Sequence, residues 1–203
     1  MPDKTKVDAF ATRKVILLMG MGLDGYGAGG WTPPVTWGQD VAEIHDEVRR
    51  QLASIDTFLF GRVCFELWQE VWPAQAENPR SSSFEKEFSR LTDRMQKVVY
   101  SRTVKSVTWQ NSRLASGSLA DDVAGMKREP GGDLAIVGGP RIAREFGELG
   151  LIDEYRLWIH PTIMGSGTPL LGNQGKPREL DVIDAKAFGT GGLCLHLRPR
   201  RPS

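Results

Sequence analysis

Three stretches place glycine, arginine or a hydroxyl directly after an apolar run: Phe60-Gly61-Arg62-Val63, Tyr100-Ser101-Arg102-Thr103 and Val137-Gly138-Gly139-Pro140-Arg141-Ile142. Each reads as a strand end, and in open α/β sheets ligands gather at the carboxyl ends of strands. A helix starting there offers unpaired N–H groups and the positive end of its dipole, a seat for phosphate. Arginine adds a fork of donors matched to phosphate oxygens. Any one stretch alone is accounted for by turn punctuation; three, each with its arginine, point to a nucleotide. The adjacent glycines are the sharpest signal. They give up packing and cost conformational entropy, which is reasonable if something must lie close against the backbone.

Groups for proton chemistry are fewer. Asp24 follows the first apolar run inside a glycine-rich segment, Gly20 to Gly30, and is the leading acid beside a reacting centre; a turn aspartate before Gly25 is the alternative. Asp40 opens a helix, where capping explains an aspartate as well as catalysis does. Glu66 reads equally as a helix-surface charge. His45, His160 and His196 lack metal-ligand partners at useful spacing, so surface or capping roles are expected and no metal site is predicted. Cys64 and Cys194 stand far apart and read as small buried hydrophobes. Trp31, Trp37 and Trp72 lie in or beside loops, where they either wall a planar substrate or pack. The G-x-G-x-x-G fingerprint and the P-loop are both absent.

The elements that must position these residues alternate. Val15 to Met19 is a continuous apolar run, as in a central strand covered on both faces. Residues 40–53 have helical composition, with Val41, Ile44, Val48 and Leu52 on one stripe. Strands are predicted at Asp56–Phe60, Lys97–Tyr100, Ser106–Trp109 and Asp133–Val137. A helix after Gly61 carries Val63, Leu67 and Val71 at helical spacing, and 72–80 reads as a loop. Ser81 to Ser83 supply caps for a helix with Phe84, Phe88, Leu91 and Met95 inward. Leu119, Val123 and Met126 mark another. Pro140 suits the first turn of a helix whose Ile142, Phe146 and Leu149 face inward and which Gly150 ends. Asp153–His160 alternates like a strand with two unlike faces, and 179–188 with 193–198 form a closing hairpin. The order implies an α/β layered fold with a mixed sheet.

The chain has 203 residues with 26 basic against 25 acidic side chains, a balance that argues against a nucleic-acid binder. No apolar run reaches membrane-spanning length and the amino terminus lacks a signal-peptide core, so a cytoplasmic protein is expected. One domain over 13–198 is expected, with a flexible segment at 1–12 and a basic tail at 199–203.

Several motifs in one consistent order resemble the dihydrofolate-reductase-like superfamily, in the branch similar to the reductase (C-terminal) domain of bacterial riboflavin biosynthesis. They are Leu23-Asp24-Gly25-Tyr26, Phe60 to Glu66, Trp72-Pro73, Val99 to Thr103, Trp109 to Ser112, Gly150 to Leu157, and His160-Pro161 with Met164 to Leu171. Together they span roughly Arg13 to Arg198.

The resemblance implies a three-layer fold, an eight-strand, mostly parallel mixed sheet flanked by helices, binding NADPH across the strand ends. By position, Gly61, Arg62 and Val63 would meet the phosphates, Val137, Gly138, Gly139, Arg141 and Ile142 the pyrophosphate, and Ser101, Arg102 and Thr103 the adenosine 2′-phosphate. Asp24 and Asp40 are the catalytic candidates. An NADPH-dependent reductase of a small heterocyclic or carbonyl compound follows, working as a homodimer; a nucleotide-binding or interaction protein without turnover is the alternative. Two departures stand out. Gly22 replaces the serine usual before Leu-Asp-Gly, and two cysteines leave no room for the zinc deaminase domain of bifunctional relatives. No stretch marks a ribityl-phosphate pocket.

Overall fold

The computed structural model describes residues 13–27, 42–172, 177–189 and 191–200. At its centre lies β1 (Val15–Gly22), whose Val15, Ile16 and Leu17 are fully buried. It runs parallel to β6 (Asp133–Gly138) on one side and β7 (Glu154–His160) on the other. Beyond β6 come β3 (Ile55–Gly61), β4 (Gln96–Tyr100) and the short β5 (Ser112–Leu114), all parallel. Beyond β7 the direction reverses in β10 (Leu193–Pro199), which pairs antiparallel with β7 and with β9 (Leu180–Ala187). The eight strands therefore lie in the order β5-β4-β3-β6-β1-β7-β10-β9. This is the expected mixed, mostly parallel sheet.

Strand alternation divides the core into two. Ile16, Phe58, Phe60, Ala135 and Val137 pack under α1 (Ala42–Leu52), α2 (Arg62–Gln75) and α3 (Ser83–Arg94). Val15, Leu17, Leu59, Leu134 and Ile136 meet α4 (Leu119–Arg128) and α5 (Pro140–Glu148) on the opposite face. The connection from β1 thus enters α1 on one face, and that from neighbouring β6 enters α5 on the other. Where adjacent connections diverge in this way, the carboxyl ends of the strands open a crevice.

Several local expectations are corrected. In α2 the buried stripe is Phe65, Trp68 and Trp72, while Val63 is 68% exposed. Both stripes fit the helical period, and the larger aromatic surfaces take the core. Trp68 and Trp72 join Phe58, Phe60 and Phe88 in one edge-to-face cluster, so Trp72 packs rather than lining an open site. The helix runs through Pro73 to Gln75, whose side-chain amide donates to the Val71 carbonyl (3.1 Å). Residues 106–109 form no strand. Val107 packs onto the core and the Trp109 indole donates to Asp93 (2.7 Å). Asn111, at φ 57°, then turns the chain into β5. Leu149 is 55% exposed because Gly150 ends α5 at φ 68°, and Leu151 takes the inward place. His45 is buried in α1 with its ring stacked on Phe84 (3.8 Å), not at the surface.

A two-stranded ribbon, β2 (Tyr26–Gly27) with β8 (Thr168–Pro169), is an addition to the expected elements. Asp40, Trp31, Trp37 and the 1–12 segment lie outside the described residues. No helix among the described residues is long and apolar enough to cross a membrane, and no cluster of metal-ligating side chains occurs among them.

Candidate functional site

The helices α2 and α5 begin directly at the carboxyl ends of adjacent strands, and they begin alike. Gly61 caps α2 and Gly139 caps α5, neither with a side-chain hydrogen bond, and neither first turn contains an acidic residue. The starts of α3 and α4 differ. Ser82 and Glu85 form a reciprocal capping box on α3, and Ser118 accepts the Asp121 amide on α4, whose first turn holds Asp121 and Asp122. Helix-start amides have no intrahelical partners, so a cap satisfies them or something else must. The two open starts also meet. A Cβ on Gly61 would lie 3.6 Å, and one on Gly139 3.7 Å, from the same Ile142 methyl. Two positive dipole ends therefore flank one isoleucine at the crevice.

The residues expected from sequence fall around these starts. Arg62 is exposed and pairs with Glu66 one turn on (2.8 Å). Val63 and Arg141 are exposed within the first turns. The side chains of Val137 and Ile142 are buried, which leaves only their backbone for a ligand. At the end of β4, Arg102 and Thr103 are exposed, while the Ser101 hydroxyl accepts the amides of Thr103 (3.2 Å) and Val104 (3.0 Å). Gly138 proves to have a packing reason: its missing side chain leaves the space that Cys64 fills. Burial pushes the Cys64 thiol up to about 12, so it is a filler rather than a nucleophile.

Tyr100, read from the sequence only as the last residue of a strand, belongs to this edge with a role of its own. It pairs in register with Gly61 and donates its hydroxyl to Asp122 (2.8 Å), which also accepts from Arg113 (3.2 Å). Burial, then the Asp122 hydrogen bond and charge, push the phenol far above its ordinary range. Tyr100 thereby pins the start of α4 to β4. The signal was available only in part, as a tyrosine closing an apolar strand.

Asp24 sits in the turn after β1 and its carboxylate accepts the Gly165 amide (2.8 Å). That bond and further backbone amides outweigh desolvation and hold it below the usual carboxylate range. The Leu23 amide donates to Thr162 (2.8 Å) and the Leu170 amide to Gly25 (2.9 Å), so the 22–27 loop is laced to the 162–170 loop. Asp24 is therefore an ionised turn acceptor, beside a cavity of about 330 Å³ lined by Met21, Gly25, Pro169, Leu171 and Gly172. A side chain on Gly22 would meet Met164 at 2.6 Å and the Thr162 carbonyl at 2.8 Å. That crowding explains glycine at position 22.

Residues 13–194 match the model of the RibD C-terminal domain. The chain belongs to that family. An uncharacterized protein of Bacillus subtilis (strain 168), YyaP, is 32% identical over 179 residues, covering 88% of this chain and 91% of that protein. Among solved structures, a putative riboflavin biosynthesis protein from Shewanella sp. PV-4 superposes with a TM-score of 0.64 at 18% identity, covering 93% of this chain and 99% of the other. Dihydrofolate reductase from Enterococcus faecalis, complexed with NADP(H), gives 0.56 at 12% identity, with 93% and 97% covered. These likenesses establish the dihydrofolate-reductase-like fold of this RibD C-terminal domain.

Proposed function

We propose that this RibD C-terminal domain is an NADPH-dependent reductase of a small heterocyclic or carbonyl compound. The observation that carries the reading is the pair of uncapped, acid-free helix starts converging on Ile142. Such a pair fits a pyrophosphate, since each start offers free amides and a positive dipole end. Backbone at Gly61, Arg62 and Val63 would hold one phosphate, and Gly138 to Ile142 with the exposed Arg141 the other. The hydroxyls of Ser101 and Thr103 and the guanidinium of Arg102 would hold the 2′-phosphate, charge-assisted donors to a dianion. The dinucleotide supplies the hydride when bound; the protein orients the reactants and excludes water.

A second reading has its own observation. Asp24, the one catalytic candidate from the sequence that lies among the described residues, is committed to backbone amides, which leaves the proton donor unassigned and favours a nucleotide-binding protein without turnover. Calorimetry with NADPH, followed by its oxidation against a panel of pterins, flavin precursors and quinones, separates the two. Tight binding with oxidation by one panel member is expected. Binding without oxidation by any member would favour the second reading, and no binding would sink both.

A further inference from the structure

A second cavity, of about 230 Å³, is lined by Arg50, Gln51, Ala53, Ser54, Arg156 and His196. Ser54 directly precedes β3, and the far end of that strand, Gly61, is the start of α2 at the crevice. The cavity therefore lies at the opposite end of β3 from the crevice. Arg50 and Gln51 come from the last turn of α1, while Arg156 of β7 and His196 of β10 stand opposite each other in register. A guanidinium facing an imidazole across two strands needs an anion between them. Glu154, two residues before Arg156 and so on the same face of β7, accepts from Arg156 (3.1 Å) and pairs with His196 Nε2 (2.9 Å).

Glu154 leaves donors over. Arg156 gives Nη1 to the Gln51 carbonyl (2.5 Å) and Nη2 to Glu154, but its Nε is buried with no partner among the described residues. Arg50 gives Nε and Nη2 to Glu47 and Nη2 also to Asp184, and its Nη1 makes no hydrogen bond among those residues. His196 uses Nε2 alone, so Nδ1 is free. The carboxylates are shared further: Lys14 reaches Glu154 (2.5 Å) and Lys186 reaches Glu47 (3.6 Å). Four fixed cations thus stand against Glu47, Glu154 and Asp184, a positive surplus before His196 is counted. A buried donor without a partner costs free energy, and an anion that accepts from it recovers that cost. We propose that this cavity binds a phosphate group, free or carried by a small monoester, between Arg50, Arg156 and His196. Guanidinium forks match phosphate oxygens, and donors arriving from three elements suit a tetrahedral anion better than a flat carboxylate. The room is well beyond that of one bridging water, about 30 Å³. The site is independent of the reductase reading, whose phosphates would lie at the opposite strand ends.

The test titrates inorganic phosphate and, in a second arm, glycerol 3-phosphate, following the Arg156 Nε–H and His196 ring-nitrogen resonances by NMR. In the parent protein both sets should shift and saturate, a readout that survives if a variant fails to fold. Arg50→Gln should weaken the binding read from those shifts by about tenfold or more, the worth of a charged hydrogen bond, and His196→Gln by about fivefold. Arg141→Gln, at the crevice, should leave the shifts as they are. Tighter binding of glycerol 3-phosphate would support the site as one for a monoester, and tighter binding of phosphate as one for the free ion. Resonances unmoved by millimolar amounts of either probe would show that water suffices for these donors and overturn the proposal. Unchanged affinity in both cavity variants, or shifts that vanish in Arg141→Gln, would overturn it too.

Discussion

Cys64 occupies the side-chain space that Gly138 lacks: a Cβ built on Gly138 would lie 2.0 Å from Cys64 Sγ and 2.4 Å from its Cβ. The start of α2 can therefore lie against the end of β6 only while residue 138 is glycine. Gly138→Ala should destabilise the protein by about 1–3 kcal/mol, the usual cost of overpacking. Replacing Cys64 with glycine in that background should return much of the loss, since it empties the disputed space. Urea denaturation of the two single variants and the double variant measures the coupling. Additive losses would show that the two positions do not share one space.

Gly139 is glycine for another reason. It caps α5 at φ 93°, ψ 118°, and a Cβ there would meet nothing nearer than Ile142 at 3.7 Å. The site has room, but the backbone is one that L residues rarely adopt. Gly139→Val should cost about 1–3 kcal/mol of stability, leave a folded protein, and lower NADPH affinity by intruding where the pyrophosphate would lie. If the folded variant binds NADPH as the parent does, the pyrophosphate is not held there.

The contrast between these glycines shows what the sequence could convey. Central strands were legible because Val15-Ile16-Leu17 and Leu134-Ala135-Ile136 are covered on both faces and so read as unbroken apolar runs. The helix starts at Gly61 and Gly139 were legible through glycine, proline and arginine in short order. The face of α2 was not, because Val63-Leu67-Val71 and Phe65-Trp68-Trp72 satisfy the same period and only the size of the opposing space chooses between them. Contacts across the fold were also hidden. Cys64 against Gly138, His160 against Gly20 and Asp24 against Gly165 join residues far apart in the chain, and no local pattern encodes them.

The sheet edges are unequal. At one end β5 has three residues; at the other β9 has eight and, among the described residues, pairs only with β10. Val182 is 66% and Ile183 43% exposed on β9, on alternate faces. A long bare edge with apolar side chains invites another strand. We expect a homodimer through β9, with light scattering giving twice the chain mass and Val182→Lys shifting it to monomer. A monomer mass for the parent at micromolar concentration would end this expectation.

Glu154 opens β7 under three cations or potential cations: Lys14 (2.5 Å), Arg156 (3.1 Å) and His196 (2.9 Å). Burial alone would raise its pKa, but these hydrogen bonds outweigh it and hold the carboxyl at about 2, against an ordinary 4.5. Between those values the unfolded chain binds the proton that the folded one refuses. The resulting stability is fully present above pH 4.5 and is lost as pH falls towards 2. A shift of that size corresponds to about 3 kcal/mol. Glu154→Gln should lower the urea midpoint at neutral pH and flatten its decline in acid. A variant with the parent's acid decline would show that Glu154 does not drive it.

Arg102 offers the most direct reading of cofactor identity. It is exposed at the end of β4, with the Ser101 hydroxyl oxygen accepting the Thr103 and Val104 amides and so fixing the turn that carries it. Proteins selective for NADH place a carboxylate near the ribose hydroxyls, which would repel a phosphate. Residues 101–103 instead present hydroxyls and a guanidinium. Arg102→Ala should weaken NADPH by about 1.5–3 kcal/mol, the worth of a charged hydrogen bond, and leave NADH nearly unchanged. Because the side chain is exposed and the turn is held by Ser101, the melting temperature should not move. Calorimetry of both cofactors on both proteins measures the difference, and an equal loss for NADH and NADPH would show that Arg102 does not read the 2′-phosphate.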